Sequence, residues 1–321
     1  MKKVLTLILV LCFALGMAST VSAEGGNPHK VGIAFSGWTS NPNWLMVSAR
    51  LHQDYDDAGY TFLEKDITDA SSVPTVVENF ITAGCDIIVI HGLYAEAVQA
   101  MMPAILEAGI AVGVVDADLT ADGATYDMRC AEYETGYALG KAAAEWANEN
   151  IEGTVHAGVL GYELLEQFAL RGRGIRDALN EYLEDGEVEI LLSAGAQEDG
   201  MSETENMLSA IPDLNLVACW NSGSGVGAYE ALKAAGWDGE GNGLFSIDAS
   251  DDELTGILEG GCFKATMEMD LRNQWMTLFG KLVAYADNGF EYPEGTTDED
   301  KFWTYPLNVV FADRAADYLN K

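Results

Sequence analysis

The sequence predicts an α/β protein made of two doubly wound, Rossmann-like lobes, each a parallel sheet covered by helices. Three observations carry this. Short apolar runs alternate with longer stretches of helical period, separated by Gly, Asp or Asn, across residues 31–249. The apolar runs are hydrophobic on both faces, as strands buried between two helical layers must be. The alternation also starts afresh near residue 133, with no Gly/Ser-rich or Pro-rich tether between the halves.

The first half opens with strand VGIAFS (31–36) and a helix in NWLMVSARLHQDYDDAG. That helix is entered through Asn41 and Pro42, carries Leu45, Val47, Ala49, Leu51 and Tyr55, and stops at Gly59. Strand TFLEKD, helix VPTVVENFITAG, strand DIIVIHG, helix AEAVQAMMPAILEAG and strand AVGVVDAD follow, to residue 118. The second half runs through the Ala-rich helix ETGYALGKAAAEWANEN, then TVHAGVLG, LLEQFALRGRGIRDALNEYL, VEILLSAGA, LVACWN, GVGAYEALKAAG and LFSIDA. A tail of helix LRNQWMTLFGKLVAYADNG, acidic loop EGTTDED and strand FWTYPLNVVFA is expected to rejoin the earlier sheets. Any crossing between the halves is expected to be a short, ordered segment, which suggests a hinge.

Charge and the amino terminus bound the function classes. Seventeen Lys and Arg against 51 Asp and Glu give a formal net charge of −34, which argues against nucleic acid or an anionic membrane as partner. Residues 1–23 have a basic start, an apolar run of about 15 residues, too short to span a bilayer, and VSA before Glu24. Export is therefore expected, to the periplasm or the outer face of the cytoplasmic membrane, with cleavage after Ala23. Cys12 lacks the small preceding residue of a lipoprotein signal. Cys85, Cys130, Cys219 and Cys262 remain, with no CxxC pair; disulfides and buried thiols both stay open.

In an open parallel sheet, ligands lie beyond the carboxyl ends of the strands, so the polar and aromatic residues there are the candidates. They are Trp38 and Trp44 after the first strand, Asp116 and Asp118 after the fourth, Asn221 after LVACW and Asp248 after LFSI. Arg171 and Glu132 join them. Carboxylates accept two hydroxyl bonds, Arg donates a fork, an amide does both and indole covers the C–H face of a ring. The set thus suits a neutral, hydroxyl-rich small molecule. Structural roles compete: Asp118 and Asp248 also suit helix caps, Trp44 the packing of the first helix, and His91 a satisfied buried histidine.

Enzyme signals are weaker. Gly223, Gly225 and Ala228 form a GxGxxA run ahead of Asp248, the layout of a dinucleotide site. Polar Asn221 and Ser222 intervene, however, so the glycines are read as turn and packing residues. No GxxxxGK[ST], HExxH or GxSxG occurs. Asp116, Asp118, Asp122 and Asp127 do not fit a calcium loop, because Gly123 comes two places late and no Glu closes it; the run is read as a solvated acidic loop. Neither a catalytic residue, a cofactor nor a metal is expected.

With these residues in place, the chain resembles the periplasmic sugar-binding proteins of the ribose and galactose type, the type I soluble receptors of ABC importers. NPNW is similar to the segment after strand one whose aromatics sandwich the sugar, implying Trp44 with Asn43 beside it. GVVDAD resembles the strand ending in a ligand Asp, implying Asp116. ALRGRGIRDAL resembles the helix start with a ligand Arg, implying Arg171 ahead of the Arg173–Gly174 pair. CWNSG implies Asn221, and LFSIDAS implies Asp248. Two departures bear on the ligand. Ser222 stands where the family commonly has Asp, and the late crossover ATMEMD offers Met269, between Glu268 and Asp270, where the family usually has Gln. The resemblance implies crossings between lobes near residues 131, 269 and 299, which make 24–131 plus 270–299 one lobe and 132–269 plus 300–321 the other, joined by a three-segment hinge. It also implies a monomer that captures a sugar or polyol between its lobes and hands it to a membrane permease. A receptor for a non-sugar signal molecule serving a sensor or chemoreceptor, or an exported carbohydrate or nucleoside enzyme, are the alternatives.

Overall fold

Twelve strands among the described residues form two six-stranded sheets. The structure is a computed structural model describing residues 28–36, 42–116, 123–163, 166–192 and 197–319. The first lobe holds β1 (Lys30–Phe35), α1 (Pro42–Tyr55), β2 (Thr61–Asp66), α2 (Val73–Ala83), β3 (Ile87–His91), α3 (Ala95–Glu107), β4 (Ala111–Val115) and β5 (Tyr126–Arg129). The second holds α4 (Glu132–Asn150), β6 (Val155–Gly161), α5 (Glu166–Tyr182), β7 (Gly186–Leu192), α6 (Gln197–Ala210), β8 (Leu216–Cys219), α7 (Ser222–Ala234), β9 (Gly243–Ile247), α8 (Asp251–Glu259) and β10 (Phe263–Glu268). The chain then returns through α9 (Leu271–Asp287), α10 (Asp298–Lys301) and β11 (Phe302–Thr304) to the first lobe. It finishes with β12 (Asn308–Phe311) and α11 (Ala312–Tyr318) in the second.

The sheets run in the orders β2-β1-β3-β4-β5-β11 and β7-β6-β8-β9-β10-β12, all parallel except β12, which is antiparallel to β10. Strand order reverses between β1 and β3 in one sheet and between β6 and β8 in the other. These are the switch points where helices diverge to opposite faces and leave a crevice at the carboxyl ends. Every residue of β3, β4, β8 and β9 is buried, as two-sided helical cover requires.

Helix α1 shows how the apolar stripe is selected. Trp44, Val47, Leu51 and Tyr55 recur at three- and four-residue spacing and are buried, whereas Leu45 and Ala49 fall on the outer face. The acidic run is likewise resolved by position: Asp127 lies in β5, fully buried, and accepts from Arg129 Nε at 2.8 Å, so it is not part of a solvated loop. Asp118 and Asp122 lie outside the described residues. Gly225 is needed because a Cβ there would overlap the Ser246 side chain, which lets α7 lie close against β9.

The chain passes between lobes at residues 130–131, 269–270 and 305–307. The third crossing lies later than the position near 299 expected from sequence. Phe302–Thr304 still pairs with β5, and Tyr305 N–H continues that ladder to the Arg129 carbonyl at 3.0 Å. All four described cysteines are buried thiols without a disulfide, the second of the two outcomes that the sequence left open. No helix among the described residues is long and apolar enough to cross a membrane.

Candidate functional site

The carboxyl ends of β1, β3 and β4 face those of β6, β8 and β9, and the three crossings close the space between them. On the second lobe, Glu132 opens α4 and Arg171 lies one turn into α5. Their helices approach backbone to backbone, because a Cβ on Gly136 would overlap the Arg171 carbonyl oxygen and one on Gly174 would overlap the Tyr133 carbonyl oxygen. That proximity brings the two side chains together. Arg171 donates Nε to Glu132 Oε2 and Nη2 to Glu132 Oε1, the latter at 3.4 Å. Its Nη1 lies 3.5 Å from Asp248 Oδ1 and from the Trp220 carbonyl oxygen, and Nη2 lies 3.5 Å from Cys130 Sγ. Arg171, 8 % exposed, and Glu132, 5 % exposed, thus form a buried charged pair.

Asp248 follows β9 in the left-handed backbone region (φ 106°) and accepts from Ser222 N–H at 3.0 Å. Asp116 follows β4 in the same region (φ 58°). Non-glycine residues rarely adopt it, and such strain concentrates where side-chain direction matters. The Asp116 carbonyl accepts from Gln167 Nε2 of α5, a bond from one lobe to the other. The Asp116 carboxyl lies 3.7 Å from His91 Nε2, too far for a hydrogen bond, and faces the Tyr305 hydroxyl.

Burial dominates the electrostatics. It pushes the Asp116 carboxyl up to about 7, with Tyr305 and Arg171 opposing and Glu132 and Asp248 reinforcing. Burial also raises Glu132 and Asp248, in each case against the pull of Arg171. His91, stacked on Phe35 at 5.2 Å, is driven down to about 4 by burial and is neutral at pH 7. Burial works against the Arg171 charge too, but its acidic neighbours, Glu132 foremost, outweigh it and hold the guanidinium protonated.

Several sequence candidates therefore meet at one place: Asp116, Glu132, Arg171 and Asp248 are mutually coupled. Asn221 sits at the edge as the cap of α7, its Oδ1 accepting from Ser224 N–H at 3.0 Å and from the Ser224 hydroxyl at 2.7 Å. Met269 is buried in the second crossing, 3.9 Å from Cys130 Sγ in the first. Trp44 packs inward with Phe35, His91 and Trp275 at ring separations of 4.7, 5.9 and 5.7 Å, taking the core role that was its alternative. Arg173 points outward to Glu163 and Glu166. Trp38 lies outside the described residues, as does the side chain of Asn43.

Sequence reading missed Tyr305, Gln167 and Trp220. Trp220 follows β8 and packs with Tyr162 and Phe168 at 5.1 and 5.3 Å, an aromatic wall beside Arg171. Five buried polar atoms here lack hydrogen-bond partners: His91 Nδ1, Asp116 Oδ1, Trp220 Nε1, Trp275 Nε1 and the Tyr305 hydroxyl. Each such orphan costs roughly 1–3 kcal/mol, so their concentration at one crevice marks a site made for polar contacts. A groove of about 630 Å³ adjoins the cluster through Asp248 and Ser222 and is otherwise walled by the first turns of α7, α8 and α9 and by Met46 and Arg50. Among the described residues no group of three or more His, Cys, Asp or Glu is placed to hold a metal ion.

Comparison with known proteins identifies relatives, fold neighbours and a family. The putative rhizopine-binding protein of Rhizobium meliloti is 26% identical over 263 residues, covering 81% of this chain and 82% of that one. The D-apiose import binding protein of Actinobacillus succinogenes is 24% identical over 227 residues, covering 70% and 72%. In fold, the chain is similar to an ABC transporter solute binding protein from Bacillus halodurans solved with bound myo-inositol, with a TM-score of 0.76 at 20% identity over 92% of this chain and 99% of that one. Residues 33–274 match the family described as periplasmic binding protein domain, and the chain belongs to that family.

Proposed function

We propose that this protein captures a sugar or related polyhydroxylated small molecule between its lobes and presents the closed complex to the permease of an ABC importer, as a monomer exported by residues 1–23. One observation carries the reading: Asp116 on the first lobe and Glu132, Arg171 and Asp248 on the second converge at the crevice, with unpartnered polar atoms around them. Carboxylates held in place by a guanidinium match vicinal hydroxyls, and the indole and phenyl rings of Trp220 and Phe168 offer an apolar face to ring C–H groups. The relative named as a D-apiose import binding protein and the fold neighbour solved with bound myo-inositol support this ligand class.

The mechanism is reversible closure. An open form exposes the strand ends, the ligand docks on one lobe, and rotation about the three crossings brings the other lobe onto it. The Gln167 to Asp116 bond belongs to the closed form, since it spans the lobes. Water expulsion makes each matched hydroxyl favourable and each unmatched one costly, which is the source of selectivity.

Thermal-shift screening of the purified protein against pentoses, hexoses and cyclitols, followed by calorimetry on each compound that raises the melting point, tests the reading. At least one such compound is expected to bind and be recovered chemically unchanged. Failure of every polyol, or turnover of the bound one, removes the proposal.

A further inference from the structure

We propose that the polyol captured here carries an amino group, and that its ammonium is received by Asp116 and the Tyr305 hydroxyl. The inference rests on the capture reading above and adds the ligand's charge.

The charges in the crevice do not balance. Asp116, Glu132 and Asp248 face a single guanidinium, and that guanidinium is already committed. Arg171 spends Nε and Nη2 on Glu132, and Nη1 on Asp248 and the Trp220 carbonyl. Nothing is left over for Asp116. The nearest other basic group, His91, is 6 % exposed, stands 3.7 Å away and stays neutral. Asp116 Oδ1 is buried without a partner. A carboxyl so placed either remains protonated or meets a cation brought by the ligand.

A second observation points to a donor-rich guest. Tyr305, 3 % exposed, turns its hydroxyl toward Asp116, close enough for each to shift the other's ionisation, yet makes no bond of hydrogen-bond geometry. The His91 ring, neutral and with Nδ1 unpartnered, lies on the same side. An ammonium has three donors and no acceptor, so a carboxylate oxygen and a phenol oxygen are what it requires. The lobes then divide the work: Glu132 and Asp248, held by Arg171, accept hydroxyls, and Asp116 reads the amine.

The test uses matched pairs on the full mature protein at pH 6: D-glucosamine beside D-glucose, 2-amino-2-deoxy-D-ribose beside D-ribose, and a monoamino-inositol beside myo-inositol. Calorimetry is run in two buffers of different ionisation enthalpy. In at least one pair the amine is expected to bind ten-fold or more tightly than its parent, releasing about one proton as Asp116 ionises against the ammonium. In Asp116→Asn the ratio of the two affinities is expected to collapse towards one. Parents binding as well as or better than their amines overturn this inference and leave polyol capture standing. An amine preference that survives in Asp116→Asn also overturns it, because the ammonium then sits elsewhere. Absence of binding by every member of every pair overturns this inference, and the wider screen of pentoses, hexoses and cyclitols then decides whether polyol capture stands.

Discussion

Glu132 and Arg171, from adjacent helices, form a buried two-point ion pair whose outer edge reaches Asp248. The pair's part in stability and its proposed part in binding separate by mutation. Arg171→Ala leaves Glu132 buried and uncompensated, which costs roughly 3–5 kcal/mol of stability, and removes the guanidinium that reaches Asp248 at the crevice. Replacing both partners with apolar residues of similar volume, Glu132→Leu with Arg171→Met, is expected to recover most of the melting temperature. It is not expected to recover affinity. Calorimetry that finds ligand binding restored along with stability would mean the pair is structural only.

The same pair depends on glycine at a distance. A Cβ at Gly136 overlaps the Arg171 carbonyl, so Gly136→Ala must push α5 away from α4. Overpacking of this kind costs about 1–3 kcal/mol, and the displacement carries Arg171 with it, so affinity and melting temperature should both fall. Gly280, in α9, has nothing within 4 Å of its would-be Cβ. There the alanine substitution is expected to stabilise by about 0.5–1 kcal/mol through helix propensity and leave binding unchanged. Equal effects at the two glycines would contradict the packing argument.

These relationships explain what the sequence could and could not disclose. The layered α/β architecture was legible because two-sided apolar strands and their spacing are local signals. Asp116, Glu132, Arg171 and Asp248 were legible because topology puts strand ends and the helix starts beside them at the crevice. Tyr305 was not, since its importance comes from β11 pairing with β5, a contact between residues far apart in the chain. That same pairing moved the third crossing beyond 299. Trp44 shows the converse: its position after β1 is right for a ligand contact, but the identity of its neighbours, Phe35 and Trp275, turned it into the core. Asn221 was found by position, whereas its capping bond to Ser224 depends on backbone angles that spacing alone does not specify.

Glu253 makes stability depend on pH. It is fully buried in the capping box of α8, its Oε2 accepting from Ser250 N–H at 2.7 Å, while Oε1 has no partner. Burial, reinforced by Asp248, pushes its carboxyl from 4.5 up to about 8. The folded state therefore holds a proton that the unfolded chain gives up above its ordinary value. The contribution is complete at low pH and is lost as pH rises through the window to about 8, and Asp116 acts in the same sense up to about 7. Ligand-free protein should melt at lower temperature at pH 8 than at pH 5.5. Glu253→Gln should flatten that slope and melt above the wild type at pH 8. Parallel melting curves for the two proteins across this range would show that Glu253 does not titrate as described.

Gln167 links ligand capture to closure. Its side-chain amide, on α5 of the second lobe, donates to the backbone carbonyl of Asp116 on the first, and the left-handed backbone at Asp116 sets the direction of that carbonyl. The bond exists only when the lobes meet, so it favours the closed form without touching the open one. Gln167→Ala removes a hydrogen bond of net worth about 0.5–1.5 kcal/mol, and affinity should weaken by about 2- to 13-fold. Because the bond forms after docking, the loss should appear as faster dissociation at nearly constant association rate. Gln167→Glu should be worse than alanine, since a carboxylate would then oppose the carbonyl oxygen. Surface-plasmon kinetics on immobilised ligand-free protein distinguishes the cases: slower association with unchanged dissociation would place Gln167 in the encounter, not in the closing of the lobes.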